Sequence, residues 1–522
     1  MKLLRLILIN ISLTSILLVV AGTKEVEASM ENTIRVGLES RYTNASTVEL
    51  ANNSVFFGEV GAEGMNIRGF LQSNNGIRVI VDNAYYLDMA HAFGGFEEAL
   101  AAAMLYESAL VHMNEWGFGI YIGPFYSIEE AQRNQTVYGG TITSPHPFQI
   151  RLTNGVRNIM VADTHLLFID GNNELLNLGG RRYRGMMELG RQIGDGITPV
   201  NIVDVEEYLY SVVPSEMPAL WHIEALKAQA VTARSFTFTS RGSHNHLGYE
   251  LVDTIFSQVY AGVEAEHENS TRAVRETNGI MAFHNNVPIL GTYFSSSGGF
   301  TESSEYVWIE AVPYLRAVAD TFEQGAMEWT RSFALSEINN LANNQNINVG
   351  QIQSVSIAGS TPGGRVASLV LQGTNGSHVL EGENIRTFFS GSAEGSLESR
   401  TFEIVDGVVG NYKPVSLETF IASNTEVAVE RFATGSFVLS SGGELSELLE
   451  NANFSVLNIF GLFNSSGSSE EVTQSSGEWV TFSGRGWGHG VGMSQFGANA
   501  MANQGFNFAQ ILEHYFTGIV VR

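Results

Sequence analysis

Three clusters hold the residues best suited to chemistry. The first, "VVPSEMP" at 212–218, sets a single carboxyl, Glu216, between Pro214 and Pro218, beside Met217 and close to Trp221. Apolar company desolvates an acid, which disfavours its charge and holds its proton toward neutral pH. Prolines on both sides fix the backbone and remove N–H donors that would stabilise the anion. A carboxyl in that state suits general acid–base work. A helix-like run follows at once, however, and a helix N-terminus favours the charged form. On the residues alone, a carboxylate that merely caps that helix is the stronger reading.

The second cluster, "GTYFSSSGGFTESSEYVW" at 291–308, offers the hydroxyls of Tyr293, Ser295, Ser296 and Ser297 to a sugar, and Gly298 and Gly299 allow close backbone approach. A serine nucleophile would need a positioned base, which His489 could supply, but the Gly-x-Ser-x-Gly elbow is absent. The third, "GRGWGHGVGMSQFGA" at 484–498, carries Arg485, Trp487, His489 and Gln495 among its glycines. Trp487 suits a sugar-stacking platform, and the other three suit polar contacts in a cleft. The alternative is a tightly turned structural loop around a buried Trp. No Lys-Ser/Thr follows these glycines, which argues against nucleotide binding. Glu302 and Glu305 lie in polar company and are expected on the solvated surface.

The elements that must position these groups follow from local pattern. Ser215 and Pro218 are helix-start signals, and Ala225, Ala228, Ala230 and Ala233 are strong helix formers. Ile223, Leu226, Ala230 and Ala233 recur at helical steps and define one core face. Lys227 and Arg234 on the same helix are expected to brace Glu216. Residues 29–75 alternate as strands, and 76–145 read as two strand–helix units, the second helix opening at Ser127 with Glu129 and Glu130 in its first turn. Strand-like text resumes near 146 in the style of residues 33–60, as though 76–145 were inserted into a β domain. A β meander is expected over 340–405. Residues 410–475, rich in Ser, Asn and Gly, read as a further insertion.

Composition bounds the rest. The chain of 522 residues is 44% hydrophobic and only 16% charged, enough for two or three cores. It has no cysteine, which excludes disulfides, thiolate metal sites and thiol catalysis. A formal charge of −26 repels nucleic acid and anionic lipid. Lys2 and Arg5 precede an apolar stretch, and Val26-Glu27-Ala28 resembles a cleavage site, so residues 1–28 read as a secretory signal. An uncleaved anchor is the alternative. Either way the remainder is expected on the outer side of the cytoplasmic membrane, secreted or associated with wall or membrane, with no stable span once the signal is removed.

Together the three clusters resemble the SpoIID/LytB family, with "SEMP…EALKAQAVTAR" and "GWGHGVGMSQ" the most specific stretches, and the likeness runs from about residue 146 to 522. It implies an α+β, β-rich catalytic domain with a helix after the catalytic Glu. The activity implied is that of a peptidoglycan lytic transglycosylase, which cuts the MurNAc-β-1,4-GlcNAc bond and leaves 1,6-anhydroMurNAc ends. The family's catalytic acid corresponds to Glu216. A single carboxyl suits this reaction, because the muramoyl 6-hydroxyl replaces the water or nucleophile that paired-carboxylate glycosidases manage. The family also contains non-catalytic proteins that bind glycan and stimulate a cell-wall amidase, so a modifier role is the second expectation and a sporulation or germination scaffold the third. Some members bind zinc near the segment matching "ELVDTIFSQVYAGV"; Val252, Phe256 and Ser257 stand at those ligand positions here, and His244 and His246 alone make a poor site. No metal or other cofactor is expected. The stretch "YIGPFYSIEEAQ" resembles SPOR domains, which bind glycan strands, and marks 76–145 as a small inserted α/β module; a purely structural insertion is the alternative.

Overall fold

The computed structural model describes residues 32–405 except 62–63, 115, 163–165, 173–174, 193–195, 309, 324 and 326, together with 427–431, 437–441 and 479–522. The expected signal at 1–28 and most of the insertion at 410–475 lie outside the described residues. The protein is mixed α+β and richer in strand than in helix. It forms two compact units, one comprising the chain before Leu209 with Gly242–Ser257, the other Leu209–Arg241 with Gln258–Arg522.

In the first unit, strands from either side of residues 85–143 pair with each other. Thr33–Gly37 runs antiparallel to Val200–Asp204, Ser54–Gly61 to Leu166–Asp170, and Ile77–Val81 to Ile150–Thr153. Alternating residues such as Ile34 and Val36, or Val55 and Phe57, are fully buried, and that alternation fixes the register. The compact units part at Tyr208–Leu209. Between the paired strands comes β1 (Tyr85–Asp88), α1 (Phe96–Ala103), β2 (Ala109–Asn114), β3 (Gly117–Phe125), α2 (Ile128–Tyr138) and β4 (Thr141–Thr143). Their spatial order is β2-β3-β1-β4, every pair antiparallel, which is the ferredoxin-like β-α-β-β-α-β arrangement. Helix α2 begins as its sequence suggests, with the Ser127 hydroxyl accepting from Glu130 N at 3.1 Å.

The second unit receives the chain through α3 (Val205–Glu216) and centres on α4 (Ile223–Thr239). Burial of α4 extends beyond the single face expected: Ala225, Leu226, Ala228, Ala230, Val231, Ala233, Ser235 and Thr237 are all buried, whereas Ile223 is only partly so. The cause is that α5 (Glu268–Glu276), the C-terminal helices and the strand at Ala282–His284 all pack on it. Small side chains allow that approach. The hydroxyls among them turn back on their own helix, Thr232 to the Ala228 carbonyl at 2.7 Å and Ser235 to that of Val231 at 2.9 Å, so none is left buried without a partner.

The meander expected within 340–405 is present as Ile352–Ser360, Val366–Gly373 and Gly376–Glu381, preceded by a helix at Leu335–Asn344. It shares a core containing Phe333, Phe388, Phe389 and Phe482 with a three-stranded sheet, whose central strand, Trp479–Arg485, delivers the chain to the glycine-rich loop. No helix among the described residues is long and apolar enough to cross a membrane.

Candidate active site

Glu216 is the last residue of α3, not an entrance residue of α4, whose N-cap is His222. This corrects the expectation drawn from Ser215 and Pro218, and it reverses the electrostatic argument. The negative end of a helix dipole disfavours a carboxylate, so here the helix works with burial instead of against it. Pro214 and Met217 are buried on either side. The Glu216 Oε1 accepts from Val259 N at 2.7 Å, and the Tyr293 side chain also hydrogen-bonds the carboxyl. Desolvation outweighs both bonds, and the Glu216 pKa is raised from 4.5 to about 7.

Tyr293 is itself held from two directions. Gln258, buried, donates from Nε2 to the phenolic oxygen at 3.2 Å while its Oε1 accepts from Thr237 at 3.0 Å on α4. The Tyr293 carbonyl lies 3.1 Å from His489 Nε2, and His489 Nδ1 accepts from Val491 N at 3.1 Å. An Nδ1 that accepts leaves the proton on Nε2, which donates to Tyr293. Burial, with the nearby Arg386, Arg365 and Arg400, pushes the His489 pKa down to about 3, so the ring is neutral. Both nitrogens are committed, and the ring is a brace for Tyr293 rather than a base for a serine.

The second and third clusters come together through backbone. β5 (Tyr293–Phe294) runs parallel to β6 (Met493–Ser494), Ser296 and Trp487 exchange N–H···O bonds of 3.1 and 2.8 Å, and Glu302 N donates to the Gly490 carbonyl at 2.7 Å. Such lacing explains two of the glycines. A Cβ on Gly492 would stand 2.2 Å from the Thr292 oxygen, and one on Gly490 would stand 2.5 Å from the Arg365 guanidinium carbon, both at positive φ. After β6, α7 (Gln495–Asn503) starts with Gln495, whose Nε2 donates to the Glu216 carbonyl at 2.9 Å and ties the third cluster to the end of α3.

The expected sugar contacts therefore divide. Tyr293 reaches Glu216, His489 holds Tyr293, and buried Gln495 holds the Glu216 backbone. Ser296 and Ser297 are buried and give their hydroxyls to Glu323, which also accepts from Ser297 N at 2.8 Å and Ser494 Oγ at 3.3 Å. They anchor the loop. Ser295 and Trp487 are partly exposed and Arg485 is exposed, which leaves these three open to a ligand. Lys227 pairs with Glu224 and Glu276 at 2.9 and 2.8 Å, and Arg234 donates to the Ile280 carbonyl at 2.9 Å, so both lock α4 to its neighbours. Glu302 is fully buried, contrary to the surface position expected, and accepts from Thr361 Oγ1 at 2.6 Å and Ser303 N at 2.9 Å. Glu305 pairs with Arg316.

Sequence reasoning missed Gln258, Val259 and Glu323. The first two lie in "FSQVYAGV", where a glutamine inside an apolar run was the available signal; Glu323 carried none.

Residues 194–284, which contain Glu216, Gln258 and Val259, match the family described as Stage II sporulation protein. Over these residues the chain is similar to the SpoIID/LytB family. It is 28% identical over 339 residues to the Stage II sporulation protein D of Bacillus subtilis (strain 168), a match covering 61% of this chain and 74% of that one. The corresponding protein of Bacillus amyloliquefaciens is 28% identical over 340 residues, with the same shares. A B. subtilis protein named amidase enhancer is 30% identical over 310 residues, covering 59% of this chain but only 39% of that relative's length.

Proposed function

We propose that this protein is an exported peptidoglycan lytic transglycosylase with Glu216 as its single general acid/base. The observation that carries the reading is the Glu216 carboxyl itself: raised to about 7, bonded by Val259 N and Tyr293, and seated where the three clusters converge. Near neutral pH such a carboxyl holds a proton for the glycosidic oxygen of the leaving GlcNAc. Once the proton has gone, the Val259 N–H and the Tyr293 hydroxyl stabilise the carboxylate. That carboxylate then takes the proton of the muramoyl 6-hydroxyl as the oxygen closes onto C1, giving the 1,6-anhydro ring. No water and no second carboxylate enter these steps. Arg485, Trp487 and Ser295 are the remaining candidates for sugar contact, and glycan strands outside the cytoplasmic membrane are the partner. The ferredoxin-like module at 85–143, in the SPOR-like stretch, would bring the enzyme to those strands.

A relative named amidase enhancer favours a second reading, a glycan-binding protein that stimulates a cell-wall amidase. Incubating wild type and Glu216→Gln with purified glycan strands, with and without stem peptides, separates the two. Anhydro-disaccharides or anhydro-muropeptides from the wild type alone support the enzyme. Intact strands that both proteins retain, with faster release of stem peptides when a cognate amidase is added, support the modifier.

A further inference from the structure

Trp308 ends α6 (Glu305–Trp308) and is 41% exposed, with Tyr306 of the same turn 37% exposed. An indole 41% exposed leaves a substantial part of its ring outside the core. Its ring packs against His489, centroids 5.1 Å apart and planes at 50°. A four-residue helix has almost no stability of its own, so whatever fixes this ring must come from outside it. Three contacts do so. Arg316 grips Glu305 with two parallel bonds of 2.8 and 2.6 Å. Ser304 Oγ donates to the Glu310 carbonyl at 2.7 Å and accepts from Val312 N at 2.9 Å and Arg316 at 3.1 Å. Ser303 Oγ accepts from Ala317 N at 2.9 Å. The turn that carries Trp308 is thereby tied to its surroundings, and part of the indole faces solvent beside His489.

We propose that Trp308 is a pyranose-stacking platform, a subsite for a sugar of the glycan strand that lies away from the scissile bond. The inference rests on the glycan-cleaving reading and extends it. Its position follows from a contact chain: Trp308 packs on His489, His489 holds the Tyr293 carbonyl, and the Tyr293 side chain bonds Glu216. Two residues, His489 and Tyr293, stand between the indole and the Glu216 carboxyl, which places Trp308 outside the contacts of the reacting bond. The ligand chemistry is set by the ring, because the C–H face of a pyranose is flat and weakly polar and matches an indole face. Binding energy gained there is remote from the reacting bond, so its signature is dependence on strand length.

The test compares wild type with Trp308→Ala and Trp308→Phe, each checked for an unchanged melting profile, on a ladder of purified glycan strands from tetrasaccharide upward. Losing one rigid aromatic anchor is expected to reduce the preference in kcat/KM for long over short strands about tenfold, mostly through KM, with Phe restoring most of it. An unchanged long-to-short ratio in Trp308→Ala overturns the proposal. Equal loss at all lengths also overturns it and makes Trp308 a support for His489. Should the wild type not cleave, the same ratio is read from affinity for intact strands. There, a Trp308→Ala protein that binds long strands as well as wild type overturns the subsite, independently of whether Glu216 is catalytic.

Discussion

Replacing Glu216 with glutamine should stabilise the protein at alkaline pH and leave it nearly unchanged in acid. The folded state raises this carboxyl from 4.5 to about 7, so between those values the native protein holds a proton that the unfolded chain has released. Stability therefore falls as pH rises through that window, and the loss is complete above about 7. Converted to free energy, the cost of ionising this side chain in place is at most about 3.4 kcal/mol, an upper bound because Glu216 is partly exposed. Glutamine keeps an oxygen for Val259 N and avoids the charge. For a unit of this size about 3 kcal/mol corresponds to roughly 6 °C in melting temperature. Thermal and urea unfolding of both proteins at pH 5 and pH 8.5 measure the difference. The expected result is near-coincidence at pH 5 and a more stable Glu216→Gln at pH 8.5. A variant equally or less stable than wild type at pH 8.5 would refute the argument that desolvation dominates at this carboxyl.

Other outcomes follow from the same contacts. Tyr293→Phe removes a bond that lowers the Glu216 pKa, so the pH–rate profile should move alkaline by about half a unit to one unit; an unmoved profile contradicts the contact. His489 should appear in nitrogen-detected NMR as the neutral Nε2–H tautomer down to about pH 4, since its pKa is pushed to about 3. Its depressed value means the unfolded chain takes up a proton first, so its contribution to stability declines as pH falls below 6.5. Glu323→Gln turns one of two accepting oxygens, Oε1 facing Ser296 or Oε2 facing Ser297 and Ser494, into a donor group, and should cost about 2–3 kcal/mol in urea unfolding; a cost below about 0.5 would show that the serine loop does not depend on it.

Much of the site was legible because its chemistry is local. Glu216 stands out in sequence by its proline and methionine neighbours, of which Pro214 and Met217 are buried in the fold. Tyr293, His489 and Gln495 were marked by glycines that let two loops interlace. Their roles were less legible, because a role depends on partners far along the chain. Gln495 meets Glu216 from 279 positions away, and His489 meets Tyr293 from 196. Ser296 and Ser297 look like sugar ligands until Glu323, which no local pattern marks, takes their hydroxyls. The direction of α3 was misread for a related reason. Ser215 and Pro218 read as start signals, yet Ser215 lies inside α3 and α4 begins only at Ile223, so the end of α3 passed for the start of α4. Glu302 shows the limit of reading burial from neighbours: serines and threonines around an acid can line a buried pocket as readily as a wet surface.

The central claim is that Glu216 delivers a proton while the substrate's own hydroxyl, not water, attacks. Digestion of purified glycan strands in water enriched in oxygen-18, followed by mass spectrometry of the new ends, tests it directly. The account predicts anhydro-muramoyl ends free of the heavy isotope, formed by the wild type and lost in Glu216→Gln. Reducing muramoyl ends carrying one oxygen-18 atom would contradict it.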